Sequence, residues 1–198
     1  NSYRTWRLTL APGEHQVVSQ SYDLKLFAND QRTLKQALAG RHLTGDQLRQ
    51  HQAFLEETSH LASTDTGIQV LAATYARENL ASYNIIEAAS NHVRDTLTYE
   101  NPIPGLYSAQ EALRTGKVDC GGFDTLFVSI CQAASIPARV VSGFWTDSLA
   151  AMHAWAEALL PNDTWLSTDP SVDYLLKRYR TNRIGGVGRT GADRVIYS

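Results

Sequence analysis

Three side chains whose types suit covalent catalysis occur in the order cysteine, histidine, aspartate: Cys120, His153 and Asp169. A thiolate is a nucleophile, an imidazole can accept and return a proton, and a carboxylate can orient the imidazole. A free thiol has a pKa of ~8.5, and the unpaired N–H groups at the start of a helix lower that pKa. The pattern therefore predicts an activated cysteine, provided that Cys120 opens a helix and the other two residues meet.

The segment that begins at Cys120 is predicted to be a helix. Apolar residues recur every three or four positions over 123–134, and a proline soon afterwards ends the pattern. Asp119 is the expected N-cap. Gly121 and Gly122 leave little bulk beside the sulfur, so a substrate carbonyl can approach and Gly121 is expected to line the cleft.

Three strands are predicted after this helix, over 138–145, 153–160 and 165–169. If the last two form a hairpin with a five-residue loop, Leu159 pairs with Trp165. His153 and Asp169 then become diagonal neighbours ~7–8 Å apart at the backbone. A loop of even length would place them on opposite faces of the sheet. We expect the odd register.

The part of the chain before Cys120 is predicted to be extended first and helical afterwards. Residues 3–27 show the alternation of strands, and residues 30–115 show helical periodicity. Capping boxes at 44–47 and 108–111 mark two helix starts, and the run 101–105 breaks the helical pattern. Helices followed by antiparallel strands predict an α+β fold, with the N-terminal helices packed on the sheet and Cys120 at the start of a central helix.

The composition describes a mid-sized globular chain with little net charge. Its 198 residues are 43% apolar and carry a formal net charge of −2, so no global charge attracts nucleic acid or a membrane surface. No apolar run approaches the ~20 residues that span a bilayer. We expect a catalytic core over 61–198 that ends in a Gly- and Arg-rich segment. The extension over 1–60 is strand-like, then helical, and can pack on the core.

The two cysteines are predicted to be free thiols. Cys120 and Cys131 lie eleven residues apart in one helix, about 16 Å at ~1.5 Å per residue, which is too far for a disulfide. Cys131 lies on the apolar face and is expected in the core. Free thiols and the lack of a visible signal peptide favour a cytoplasmic location, although a chain that starts at Asn1 leaves room for a preceding segment.

Several further motifs occur in order between about residues 65 and 172. They are Leu97-Thr98-Tyr99, 108–113, Gly116 to Cys120, Leu126-Phe127, Ile136 to Phe144, His153-Ala154-Trp155 and Trp165 to Pro170. This set resembles the transglutaminase-like core, a branch of the papain-like cysteine-enzyme fold. The resemblance implies that Cys120 is the nucleophile, that His153 is the general base and acid, and that Asp169 orients His153.

The sequence departs from the family pattern at two positions beside the reacting groups. Val118 replaces the glycine that usually precedes Asp-Cys, and Ser171 replaces the threonine that usually follows Asp-Pro. Neither change removes a reacting group, so an intact site is expected.

The mechanism that the resemblance implies is acyl transfer from a carboxamide of a peptide or protein. The thiolate attacks the carbonyl, His153 protonates the leaving amine, and a thioester remains. The backbone N–H of Cys120 and the hydroxyl of Tyr99 are candidates for stabilising the oxyanion, although Tyr99 suits packing at a helix end equally well.

Three functions remain open at this point. Water as the acceptor makes the protein a peptidase or amidase, which we favour because the chain is compact and has no calcium-loop pattern. An amine as the acceptor makes it a protein-glutamine γ-glutamyltransferase. A non-catalytic binding module on the same fold is the third alternative, and it predicts a degraded triad.

Other features are expected to contribute less. Trp155 shares a face with His153 and either walls the cleft or is buried. The glycine-rich run 186–191 matches a dinucleotide-binding pattern but lacks its βαβ unit, so a mobile loop near the cleft rim is predicted instead. The basic segment from Lys177 to Arg194 could attract an acidic partner, with a solvated tail as the default interpretation. No residues have metal-ligand spacing, so neither a metal nor another cofactor is expected.

Overall fold

The computed structural model describes residues 7–19, 21–100 and 107–196, with the backbone alone at 148–150. The helices are α1 Leu34–Ala37, α2 Gly45–Gln50, α3 Thr66–Arg77, α4 Ser82–Thr96, α5 Ala109–Thr115, α6 Cys120–Ala133 and α7 Pro170–Arg178, with a 3₁₀ helix at Gln52–Leu55. The strands are β1 Asn29–Asp30, β2 Thr98–Tyr99, β3 Lys117–Val118, β4 Ala138–Trp145, β5 Ser148–Leu159, β6 Trp165–Asp169, β7 Gly186–Val187, β8 Arg189–Thr190 and β9 Arg194–Ile196. The α+β prediction is confirmed.

The central element is α6, which begins at Cys120 as predicted. The Asp119 carboxylate caps it by accepting a hydrogen bond from the Gly122 N–H at 3.2 Å. The middle of the helix is fully buried because α3, α4, α5 and α7 pack around it while β4 and β5 cover its remaining side. Cys131 has no exposed surface and belongs to this core, as predicted.

The sheet has the strand order β7-β6-β5-β4-β9, and all its neighbouring strands are antiparallel. Leu159 lies opposite Trp165, so the hairpin has the predicted odd register. The β5–β6 ladder ends at the pair Ala156 and Thr168, after which Asp169 pairs with Gly186 of β7. The register therefore brings the start of β5 and the end of β6 to the same end of the sheet.

The helix starts predicted from capping boxes are confirmed, whereas the predicted N-terminal strands are wrong. Thr44 and Ser108 cap α2 and α5 with complete capping boxes. Residues 7–19 and 21–28 contain no strand, and Val17 and Phe27 there are largely exposed. An alternating pattern forms a strand only where a neighbour supplies hydrogen-bond partners. The pattern break predicted at 101–105 lies outside the described residues.

The glycine-rich run 186–191 does not form a loop at the cleft rim. Its residues build β7, which pairs with β6, and β8, which pairs with β1 near the N-terminus. Gly186 and Gly188 have φ of 93° and 69°, a region that glycine adopts without strain. The glycines thus turn the chain between two short ladders, and the predicted loop is corrected.

Candidate active site

Cys120 occupies the first position of α6, and its side chain is half-buried. The backbone N–H of Ala154, one residue along β5 from His153, donates a hydrogen bond to the sulfur. The Tyr99 hydroxyl hydrogen-bonds with the same cysteine side chain. Tyr99 is placed there because β2 and β3 pair in parallel, with Tyr99 opposite Val118 just before the helix start.

The thiol of Cys120 is not acidified in the folded chain. Burial raises its pKa to about 12; the Ala154 N–H offsets part of this effect, and the nearby acidic residues Asp124, Asp119 and Asp169 add to it. The expectation that the Cys120 pKa is lowered is therefore wrong for the chain without substrate. Desolvation raises this pKa by more than the N–H groups at the start of the helix lower it. A base must take the proton as the sulfur reacts.

His153 and Asp169 form a buried pair. His153 Nε2 lies 2.8 Å from Asp169 Oδ2, and the two residues are 5% and 0% exposed. A carboxylate accepts, so Nε2 carries the proton and Nδ1 of the neutral ring keeps a free lone pair. The Trp145 ring stacks on the imidazole with centroids 4.2 Å apart, which holds its plane. Nδ1 is therefore the ring nitrogen that can serve as a base.

Asp169 is held as an ion by four hydrogen bonds. Oδ1 accepts from the Ser171 hydroxyl and the Val172 N–H, both at 2.9 Å, while Oδ2 accepts from His153 and, at 2.6 Å, from Arg194 Nη1. Burial alone raises the pKa of this carboxyl, but His153, Arg194 and the Val172 N–H hold it well below its usual range. Ser171 keeps the hydroxyl that the family's threonine supplies.

Arg194 is a site residue that sequence reasoning missed. It was predicted to lie in a basic tail, solvated or bound to an acidic partner, yet it is only 5% exposed. Its guanidinium lies over the rings of Trp145 and Trp155, and Nη2 donates to the Ile184 carbonyl at 2.7 Å. The pairing of β9 with β4 places it there. Nothing in its local sequence distinguishes it from Arg183, which is partly exposed and pairs with Asp147.

A cavity of about 340 Å³ is lined by Gly121, which follows Cys120 in α6, and by Ala154, which follows His153 in β5. Gly121, which is expected to line the cleft, lies in the lining of this cavity. Trp155 is 2% exposed and lines a different cavity, of about 430 Å³, together with Arg194. Neighbouring residues of a strand point to opposite faces, so Ala154 faces the first cavity and Trp155 the second. The burial alternative for Trp155 is the correct one.

The second glycine after Cys120 serves packing and not substrate approach. A Cβ atom at Gly122 would lie 2.4 Å from the Cβ of Val118, which is fully buried. A Cβ at Gly121 would meet only the Asp119 carboxylate, at 3.4 Å. Val118, the departure from the family pattern, fits because Gly122 has no side chain.

Asp124 is a second residue that sequence reasoning missed. It lies one helical turn after Cys120, is fully buried, and neither carboxyl oxygen has a hydrogen-bond partner among the described residues. Burial, reinforced by Asp169 and Asp119, raises its pKa well above the usual range. Burial therefore favours the protonated, neutral form of this side chain. An acidic residue within a buried helix is the sequence signal that could have found it.

The described part of the chain contains no group of three or more His, Cys, Asp or Glu residues arranged to hold a metal ion. None of its helices is both long enough and apolar enough to cross a membrane.

The family model of the transglutaminase-like superfamily matches residues 69–170, just over half of the chain, and the chain belongs to this superfamily. The fold is similar to that of a presumptive cysteine protease from Cytophaga hutchinsonii, with a TM-score of 0.58 and 21% identity over 86% of this chain. It is also similar to the periplasmic domain of TgpA from Pseudomonas aeruginosa, with a TM-score of 0.53 and 21% identity over 66% of this chain. The matches span 57% and 49% of those two chains. No curated protein matches this sequence.

Proposed function

We propose that the protein is a cysteine-dependent amide hydrolase, a peptidase or amidase, in which Cys120 is the nucleophile, His153 the general base and acid, and Asp169 the residue that orients His153. The observation that carries the proposal is the buried pair of His153 Nε2 and Asp169 Oδ2 at 2.8 Å. It leaves Nδ1 as the base, on a residue whose neighbour Ala154 contacts the Cys120 sulfur.

In the proposed mechanism the proton moves as the sulfur attacks. The thiol pKa of about 12 means that almost no thiolate exists at neutral pH. His153 Nδ1 therefore takes the thiol proton while the C–S bond forms, and the ionised Asp169 stabilises the resulting imidazolium. The same proton then passes to the leaving amine as the C–N bond breaks, which leaves a thioester on Cys120. His153 then takes a proton from water as the water oxygen attacks the thioester. When the C–S bond breaks, the imidazolium returns this proton to the Cys120 sulfur and the carboxylic acid is released.

Two donors are proposed for the oxyanion of the tetrahedral intermediate. The N–H of Cys120 lies at the start of α6, where a helix has no intrahelical acceptor for it. The Tyr99 hydroxyl already contacts the cysteine side chain. Donors of this kind stabilise the negative charge that develops during attack.

The experiment is a single-turnover reaction with a glutamine-containing peptide, followed by mass spectrometry of the intact protein and the peptide. We expect a transient acyl adduct on Cys120 and conversion of the carboxamide, or cleavage of a backbone amide, to a carboxylic acid. Cys120→Ala is the control and gives neither. Addition of a primary amine tests the alternative: an amine joined to the peptide in preference to the acid would make the protein a transglutaminase. No adduct and no product from a peptide panel would leave the binding-module alternative.

A further inference from the structure

The cavity beside Cys120 is a groove that runs along α6. Gly121 lines it at the nucleophile, and Gln132 lines it eleven residues further along the same helix, about 16 Å away at 1.5 Å per residue. Residues of the segment 53–61 form the opposite wall, and β4 contributes Ala138 and Val140. An extended peptide rises about 3.3 Å per residue, so the groove has the length of about five residues.

The Gln132 amide leaves an acceptor without a partner at the far end of this groove. Its Nε2 donates to the carbonyls of Phe54 at 3.1 Å and Glu56 at 3.4 Å. Carbonyl oxygens only accept, so the nitrogen must face them and the orientation of the amide is determined. Oε1 has no partner among the described residues, although the side chain is only 6% exposed. A buried acceptor left unpaired destabilises the folded chain, so a donor that reaches Oε1 would bind favourably.

The outer edge of β4 offers backbone groups to the same groove. The Leu159 N–H donates to the Pro137 carbonyl on the β5 side, and the Thr146 N–H donates to the Asp193 carbonyl on the outer side. Because bonding alternates along an antiparallel strand, the N–H and C=O of Val140 face outward. β9 pairs with β4 only from Gly143 onward within the described residues. Val140 is half-buried, and no strand in the described part of the chain pairs with its outer edge, so this edge can pair with another extended chain.

A carboxylate, which can only accept hydrogen bonds, also lies at the Gln132 end of the groove. Glu56 lines the groove and forms no ion pair in the described part of the chain, whereas the Arg139 guanidinium is taken up by Glu157 at 2.7 Å. Oxygen acceptors at one end and a free strand edge along the side both suit a chain that presents N–H donors.

We infer that the groove binds about five residues of the substrate as an extended peptide, paired with Val140 at the edge of β4 and with a nitrogen donor on Gln132 Oε1. The inference rests on the proposed function because it places the reacting carboxamide at Cys120. It makes the substrate class a peptide or unfolded protein segment, and not a small free carboxamide.

Binding is tested on the full-length Cys120→Ala variant, so that no turnover is needed. Peptides with one glutamine are extended by one to six residues on either side, and their affinities are measured by calorimetry. We expect the affinity to increase with each residue added on one side of the glutamine, up to about five residues, and then to stay constant. Residues added on the other side should change the affinity little. Methylation of single backbone nitrogens should weaken binding at alternate positions, by about three- to tenfold each. The peptide whose fifth residue is the amino terminus is measured in its free and its acetylated form. Tighter binding of the free form would identify the donor to Oε1 as an ammonium group, and equal affinity would identify it as an amide.

Gln132→Leu separates the acceptor from its structural role. If Gln132→Leu loosens the segment 53–61, the affinity for all peptides should fall by the same factor. If the substitution only removes the acceptor Oε1, methylation of the sensitive peptide nitrogen farthest from Cys120 should no longer lower the affinity, while methylation at the other sensitive positions still does. Gln50→Leu, the same change at an exposed position of α2, is the matched control. Affinity that does not depend on peptide length, or a far-end methylation effect that persists in Gln132→Leu, would overturn the inference.

The outcome is separable from that of the proposed function. Length-dependent binding without turnover by the wild-type chain would retain the groove and reject the hydrolase. Turnover by Cys120 with no dependence on peptide length would retain the hydrolase and reject the groove.

Discussion

Arg194 Nη1 and His153 Nε2 both donate to Oδ2 of Asp169, at 2.6 Å and 2.8 Å, in a place that solvent does not reach. Through this one oxygen, Asp169 at the end of β6 is linked to His153 in β5 and to Arg194 in β9. The arginine is a permanent cation, so it helps to keep the carboxylate ionised, including when His153 takes up a proton in the proposed mechanism. We therefore regard Arg194 as a positioning residue for the proposed triad.

Removal of this cation should destabilise the fold in a pH-dependent way. Arg194→Gln raises the pKa of Asp169, which Arg194 helps to hold below its usual range. A depressed carboxyl pKa contributes stability above the unfolded value of ~3.9 and loses it as pH falls through the folded value. We expect a loss of about 3 kcal/mol at pH 7 that persists down to about pH 4 and shrinks only as the pH falls further towards the folded value, measured by urea unfolding. Arg49→Gln, which breaks an exposed ion pair with Asp46, should cost less than about 1 kcal/mol; equal losses would contradict the assignment.

Alkylation of Cys120 should depend on His153. Since burial raises the thiol pKa to about 12, labelling near neutral pH requires a base that removes the proton. We expect iodoacetamide to label Cys120 in the wild-type chain at pH 7 at least ten times faster than in His153→Ala. In the variant the rate should climb steadily up to the highest pH at which the protein stays folded. Mass spectrometry distinguishes Cys120 from the buried Cys131, and equal rates in the two proteins would remove the role of His153.

Gly122→Ala should disturb the core and leave the thiol accessible. The new methyl group would lie 2.4 Å from the Val118 Cβ, so we expect a loss of about 1–3 kcal/mol in the free energy of unfolding. Gly121→Ala, whose Cβ meets only a carboxylate oxygen at 3.4 Å, is the control and should be milder. Adding Val118→Gly to Gly122→Ala should return part of the loss. Strictly additive costs would show that the two positions do not compete for space.

Asp124 should make stability fall as pH rises. Its folded pKa lies well above the unfolded value, so between the two the unfolded chain releases a proton that the folded chain keeps. Asp124→Asn removes this titration, so its stability relative to the wild type should increase from pH 5 to pH 8. Denaturant unfolding at the two pH values measures the difference. Asp23→Asn, an exposed site, should show no such trend.

Tyr99→Phe tests whether the hydroxyl stabilises the oxyanion or only packs. The ring contact with Phe123 is retained, so the melting temperature should change little. Loss of an oxyanion donor lowers kcat by about 10²- to 10³-fold with a smaller effect on KM. Steady-state kinetics on the glutamine peptide provide the readout, with Tyr75→Phe in α3 as the control. An unchanged kcat would assign Tyr99 to packing alone.

Features that depend on neighbouring residues were predictable. The start of α6 follows from the Asp119 cap and from the helical spacing after Cys120, both of which act within a few residues. The opposition of Leu159 and Trp165 follows from loop length and the two-residue period of strands. The family motifs lie in these same local elements.

Features that depend on distant parts of the chain were not predictable. The environment of Arg194 arises because β9 pairs with β4 about fifty residues away in sequence. The groove exists because the Gln132 amide holds the carbonyls of Phe54 and Glu56, in a segment without any family motif. The strands expected over 3–27 are absent from residues 7–19 and 21–27, because an alternating pattern does not specify which strand, if any, will pair with it.

The sequence by itself thus determined which residue types could react and the local elements that carry them. Only the tertiary structure decided that Cys120 is too buried to ionise unaided and that Asp169 is ionised between two donors. The reason is that a pKa depends on desolvation and on charges within a few ångströms, and both are set by residues that meet only when the chain has folded.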